Sequence, residues 1–311
     1  MITVSLKDVT LIKGNKVVLS KIDIDLFEGE QLTIFGNSEA DILLAIIAGI
    51  IPPTQGDVEV LGHNLLKNRR QLLSQIGYIP PKPYIPSFMK VREYLELSIK
   101  MRGTKDQDQR EQIKSSLEKL KLTELSDKPI RTLSDSEKKM VALASVFITH
   151  NKLFVLSNPF DNLSPHHRES VIEFLRTASK EGATCIFTSS TFDHLRETDK
   201  IAIMKDGKIL AQGILKSLIQ MMYDEQYLML KVVDTKTVID KLSKFPTVKK
   251  IGLGRDGTVK LWLKDFDSNV SSTIELLFSL NLGIRQVSIK QIDIVESCKK
   301  LYQKTMKGEH S

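Results

Sequence analysis

The chain has 311 residues, 41% of them apolar and 27% charged, which excludes a disordered or fibrous protein and leaves room for about two domains. The net charge of +7 fits an anionic partner or merely a basic solvated surface. Two distant cysteines, Cys185 and Cys298, exclude a disulfide framework or cysteine metal cluster and point to a reducing compartment. The longest apolar run, residues 42–51, is too short to span a bilayer, and no signal peptide is expected at the N-terminus.

Residues 2–6 and 17–27 alternate as strands, the second with Ile22, Ile24 and Leu26 on one face. A turn at Glu28-Gly29-Glu30 leads into an apolar run over Gln31–Phe35 that ends at Gly36. Leu43, Leu44, Ile46 and Ile47 keep helical spacing until Gly49 and Pro52-Pro53 stop the helix. Strand, glycine and helix in that order is the layout of a phosphate-binding loop.

Residues 67–134 read as helical and charged, with amphipathic helices over Val91–Met101 and 109–122 separated by Gly103. Pro80-Pro81-Lys82-Pro83 forms a loop that cannot be helical. Ser134 and Glu137 predict a capping box for a helix over 135–149. A strand over Leu153–Leu156, a helix over Pro165–Lys180 and a strand over 183–188 follow. Strands over 201–204 and 208–211 are joined by Asp206-Gly207. Alternating strands and helices predict a parallel sheet covered by helices.

After residue 223 the pattern restarts: strand 227–233, helix 235–244, strands 248–253 and 258–263, helix 270–280, strand 284–289 and helix 292–302. This β-α-β-β-α-β order is ferredoxin-like. The predicted domains are 1–220, with a helical subdomain at about 67–134, and 221–306, followed by a tail at 307–311.

In order along residues 1–217, several phrases resemble the ATP-binding subunit of an ABC transporter. They include Ala48-Gly49-Ile50-Ile51-Pro52-Pro53-Thr54-Gln55-Gly56, Ile76-Gly77-Tyr78-Ile79-Pro80, Leu133-Ser134, Val141-Ala142-Leu143-Ala144 and Lys205-Asp206-Gly207-Lys208-Ile209. The second module looks like the extension of the exporter-type ABC-2 subfamily. The resemblance implies an α/β, P-loop NTPase-like ABC ATPase fold with a mixed sheet and a helical subdomain, plus a small α+β ferredoxin-like domain.

The resemblance also implies site residues, and here the chain departs from the family. A P-loop needs glycine, lysine and a hydroxyl to wrap and neutralise phosphates and hold Mg²⁺. Counted from the strand, Gly36 takes the first glycine position and Asn37, Ser38, Glu39, Ala40 and Asp41 follow, with Glu39 and Asp41 where glycines belong. Counted from the helix, residues 43–49 fit the family, and the two registers agree only if the lysine and the hydroxyl are missing. Two carboxylates facing a polyphosphate would cost about 4 kcal/mol per charge pair at ~4 Å.

Lys13 falls near the family's adenine-stacking aromatic, and Pro81 takes the Q-loop glutamine's place. The signature reads Leu133-Ser134-Asp135-Ser136-Glu137, with acids for one glycine and for the glutamine. The Walker B strand ends in Ser157-Asn158 instead of two acids, and the D-loop aspartate is Ser164. The switch histidine falls at Ser189, Ser190 or Thr191, with His194 out of register. These substitutions predict a pseudo-ATPase with a degenerate Walker A motif, no catalytic residues, no resident metal and no ATP or Mg²⁺ cofactor.

Outside these motifs, His166-His167 do not share a helix face, Asp193 and Glu197 read as solvated, and Cys185 reads as a core thiol. Met221, Met222 and Met229 read as packing. Lys249-Lys250 and Lys299-Lys300 lack interleaved aromatics, so no nucleic-acid partner is expected. Tyr84, Ile85, Phe88 and Met89 cluster where the family receives a permease. The leading expectation is a pseudo-ATPase subunit on the cytoplasmic membrane face, beside an ABC-2-like permease and a competent ATPase. A cytosolic scaffold protein, and an active ATPase using Lys13 or Lys16, are the alternatives.

Overall fold

The computed structural model describes residues 1–65, 67–102, 109–191, 198–214, 217–218, 227–254, 256–280 and 282–290. The chain divides into two compact units, residues 1–215 and 216–311.

In the first unit, β1 (Ile2–Lys13) and β2 (Lys16–Phe27) form a long antiparallel hairpin. With β4 (Gln55–Val60) and β5 (His63–Asn64) they make a four-stranded sheet in the order β2-β1-β4-β5. A second sheet has the order β10-β9-β3-β8-β7-β6. Its strands are β3 (Gln31–Phe35), β6 (Ile76–Ile79), β7 (Leu153–Leu156), β8 (Thr184–Ser189), β9 (Lys200–Lys205) and β10 (Lys208–Ile214). All neighbours pair in parallel except the edge strand β10, so the sheet is mixed. β3 and β7 are buried at every residue, as strands covered on both faces must be.

Helix α1 (Ser38–Ile47) packs Ala40, Leu43, Leu44, Ile46 and Ile47 into the core that the two sheets share. It stops at Gly49, whose φ of 71° a side chain would strain. The helices α2 (Arg69–Leu73), α3 (Val91–Met101), α4 (Gln109–Lys119) and α5 (Asp135–Phe147) follow, and α6 (Pro165–Lys180) runs between β7 and β8. Val91, Leu95 and Ile99 of α3 and Ile113 and Leu117 of α4 enter a second core with α5. β6 is not legible in the sequence: four residues at a sheet edge, inside a stretch that reads as helical, show no period. At Gly77 in β6 a Cβ would lie 2.4 Å from the Val146 side chain, which explains the glycine by close packing.

The second unit has β11 (Tyr227–Val232), α7 (Thr235–Leu242), β12 (Val248–Leu253), β13 (Val259–Leu263), α8 (Phe266–Ser279) and β14 (Ile284–Lys290). Its antiparallel sheet has the order β12-β13-β11-β14, a ferredoxin-like arrangement. α8 starts at Phe266, four residues before the spacing suggests, because Phe266 is itself buried in the core. The predicted helix over 292–302 lies outside the described residues, as do Gly103, Asp193, His194, Glu197, Met221, Met222, Cys298 and Lys299-Lys300.

Candidate functional site

Open α/β sheets bind ligands beyond the carboxyl ends of their strands. In the second sheet those ends are Phe35 of β3, Leu156 of β7 and Ser189 of β8. The residues just beyond them include most of the substituted motif positions.

The β3–α1 connection is short. Gly36 and Asn37 alone separate the strand from α1, where the P-loop motif has four residues between its glycines. Gly36 is held by close packing, since a Cβ there would lie 3.1 Å from that of Ala40 and 3.3 Å from that of Met204. Ala40 is buried, and Asn37 and Ser38 are exposed. Asn37 is the N-cap, but its side chain makes no capping bond to the helix.

Asp41, in the first turn, faces the interior. Its carboxylate accepts from the Ser157 hydroxyl at 2.6 Å and the Thr188 hydroxyl at 2.8 Å. The Asn158 amide donates to Ser157 Oγ at 3.2 Å, and its backbone N–H donates to Thr188 Oγ1 at 3.1 Å. Asn158 is left-handed, with a φ of 44°, and its Oδ1 is buried with no hydrogen-bond partner. Burial first, and then the Asp41 charge, push the Tyr78 phenol above its usual pKa. The prediction of two carboxylates facing a polyphosphate is corrected for Asp41, which is turned onto the Ser157 and Thr188 hydroxyls.

The signature stretch is equally self-engaged. Ser134 caps α5, and the Glu137 side chain accepts from both the Ser134 backbone N–H and its hydroxyl at 2.7 Å, as the capping box predicts. Those bonds hold the Glu137 carboxyl below its usual pKa. Ser136 Oγ lies 3.2 Å from His167 Nδ1 and accepts from the Ser164 N–H at 3.3 Å. Ser164 in turn caps α6 by accepting from the His167 N–H. Asp135 is exposed and pairs with Lys138 at 3.6 Å.

Lys139 donates to the carbonyls of Asn158 and Asp161, tying α5 to the segment after β7, and burial lowers its pKa. Ser190 Oγ donates to Asp161 Oδ2 at 2.8 Å, and Ser189 Oγ donates to the Thr191 carbonyl. Thr188, Lys139, Asp161 and His167 were not singled out by sequence as members of this network. Thr188 adjoins the named position Ser189 and Lys139 lies two residues beyond Glu137, which is the one signal available.

Lys13 and Lys16 face each other at the tip of the β1–β2 hairpin, both exposed, and Pro81 is exposed after β6. The apolar cluster divides in two: Tyr84 and Phe88 are 82% and 79% exposed, while Ile85 and Met89 pack on the helical core. Cys185 is buried, and its thiol is pushed up to about 12. No group of three or more His, Cys, Asp or Glu residues placed to hold a metal occurs among the described residues.

The fold is that of ATP-binding cassettes. Residues 19–161 match the family model described as ABC transporter. The chain is 29% identical over 210 residues to the energy-coupling factor transporter ATP-binding protein EcfA of Methanosphaera stadtmanae, covering 64% of this chain and 74% of that protein. It is 26% identical over 215 residues to the Nod factor export ATP-binding protein I of Sinorhizobium fredii, covering 68% and 63%. A solved ATP-binding subunit of an ABC transporter superposes with a TM-score of 0.65 at 20% identity, covering 71% of this chain and 93% of that one. A dimeric cassette in a post-hydrolysis state bound to ADP and Pi superposes at 0.63 and 20%, covering 68% and 98%. Over residues 19–161 the chain is similar to the ABC transporter family, and the relatives it matches are ATP-binding proteins of such transporters.

That similarity corrects the expectation of no ATP or Mg²⁺ cofactor, because the family model and the relatives it matches point to nucleotide binding. The short β3–α1 connection still differs from a phosphate-wrapping P-loop, with fewer backbone N–H groups to turn toward a polyphosphate.

Proposed function

We propose that this chain is the non-hydrolysing subunit, a pseudo-ATPase, of an ABC-2-type export complex, with a structural or regulatory role beside a permease and a hydrolysis-competent ATPase. The observation that carries this reading is the bonding of Asp41 to Ser157 and Thr188 at the end of β7, where the strand leads into Ser157-Asn158 and not into a carboxylate able to orient water. The similarity to an export ATP-binding protein supports the export assignment. Nucleotide of the family's kind binds without being cleaved by this chain's own residues.

Exposed Tyr84 and Phe88 supply the contact to the permease, and the subunit sits on the cytoplasmic face of the membrane. No described helix is long and apolar enough to cross a membrane. Phosphate release from Mg-ATP is the test. The purified chain alone is expected to stay at background, with release by the complex following the partner; turnover by the chain alone overturns the reading. Purification in mild detergent is expected to bring down a permease, and Tyr84→Ser with Phe88→Ser to lose it.

A further inference from the structure

The second unit carries a sheet face that the transporter reading does not use. In β11 and β13, Leu228, Leu230, Val259, Leu261 and Leu263 are buried in the unit's core together with residues of α7 and α8. Strand alternation then sends Tyr227, Met229, Lys260 and Trp262 to the opposite face. Tyr227 and Trp262, on the two central strands, have ring centroids 5.0 Å apart at 42°. Lys250 lies 5.3 Å over the Trp262 ring and Lys260 lies 5.2 Å over the Tyr227 ring.

Lys290 pairs with Tyr227 across the other side, and Lys231 lies farther along β11. Lys231, Lys250 and Lys290 are exposed, while Tyr227, Lys260 and Trp262 are half-buried. None of these four lysines makes an ion pair among the described residues; Asp256, on the turn before β13, is held below its usual pKa first by hydrogen bonds from Thr258 and least by the Lys231 charge. Gly252 keeps the tryptophan down on the sheet, since a Cβ there would lie 2.9 Å from the ring.

We propose that this face binds single-stranded nucleic acid, with bases stacking on Tyr227 and Trp262 and phosphates contacting the lysines around them. The chemistry is specific to that occupant. A four-stranded sheet with aromatics on its central strands gives unstacked bases rings to stack on once the flexible Lys250 and Lys260 side chains swing from the ring faces to the phosphates, and the surrounding lysines supply the backbone contacts. Rings lying along the sheet are poor wedges for a bilayer, which takes protruding apolar side chains. Lys249-Lys250 carry no aromatic neighbour in sequence; Trp262 reaches Lys250 from β13, twelve residues on. The proposal stands independently of the transport role.

Trp262 is the chain's one tryptophan, so its fluorescence reports on this face directly. Titration of the full chain with a fluorescein-labelled oligouridylate or oligothymidylate of roughly ten nucleotides is expected to raise anisotropy and quench Trp262 at micromolar concentrations. With four lysines, the log–log salt slope is expected near ~ −3. Trp262→Ala is expected to weaken binding about ten-fold or more. Lys231→Glu with Lys290→Glu, which leaves both rings in place, is expected to weaken it and flatten the slope.

Absence of an anisotropy change at low salt overturns the proposal, as does equal binding by the lysine variant. Equally tight binding of a duplex, or binding that leaves Trp262 unquenched, also overturns it. So does a Trp262 emission shift with anionic phospholipid vesicles and none with the oligonucleotide. Circular dichroism of each variant checks folding, and the lysine pair decides if Trp262→Ala does not fold.

Discussion

At the carboxyl ends of β3, β7 and β8 the polar side chains bond to one another, whereas on the open face of the C-terminal sheet they meet solvent. In the first region one carboxylate takes two hydroxyl hydrogens, and serines cap helices or bind a histidine. In the second, lysines lie over aromatic rings and no ion pair holds them among the described residues. The difference teaches that a familiar site can have its polar groups engaged internally while an unremarked surface keeps binding chemistry available. Buried polar groups must be satisfied, so engagement in the first region is a stability requirement; on a solvated face nothing forces it.

The largest expected effect tests how dry β8 is near its amino end, away from the first region. Cys185, in the same strand as Thr188, has a thiol pushed up to about 12 chiefly by burial, against a usual 9.0. A raised folded-state pKa contributes stability that is full below pH 9 and lost as pH rises toward 12. Compared with Cys185→Ala, the native chain should lose about 4 kcal/mol over that window in denaturant titrations. Parallel pH profiles would show that β8 is wetter than the structure has it.

Next is Asp41→Ala, which strands two hydroxyls. A loss of about 2–4 kcal/mol is expected by denaturation, with Asp41→Asn costing less because the amide oxygen still accepts. A neutral Asp41→Ala would break the contrast between the two regions.

Ser134→Ala should cost about 1 kcal/mol through the lost helix cap. It should also return the Glu137 pKa toward its usual value, measurable by carboxyl NMR. Because Glu137 is held low, its stabilising contribution is present above the usual carboxylate range and lost as pH falls through its folded value.

The smallest effect belongs to the second region. Tyr227→Ala should cost roughly 0.2–1 kcal/mol, the range of one cross-strand pair. A much larger loss would make the ring pair a structural support and not a platform.

Local chemistry was legible where it is decided locally. The Ser134–Glu137 box, the Asp206-Gly207 turn with φ values of 50° and 73°, and the strand Gln31–Phe35 follow from neighbouring residues alone. β6 was illegible because a four-residue edge strand has no period of its own. At the site, the substitutions themselves were readable, but their consequence was not: the sequence places two acids near a phosphate loop, and only packing turns Asp41 away onto Ser157, 116 residues later.

By itself, then, the amino-acid sequence determined the order of elements, the family resemblance and the identities of the substituted positions, since these depend on periodicity, turn residues and order along the chain. Tertiary structure decided which way Asp41 faces, which half of the Tyr84–Met89 cluster is exposed, and that Trp262 meets Lys250 while Tyr227 meets Lys260. Hydrogen-bond satisfaction and strand pairing join residues far apart in sequence, and no local pattern records those partners.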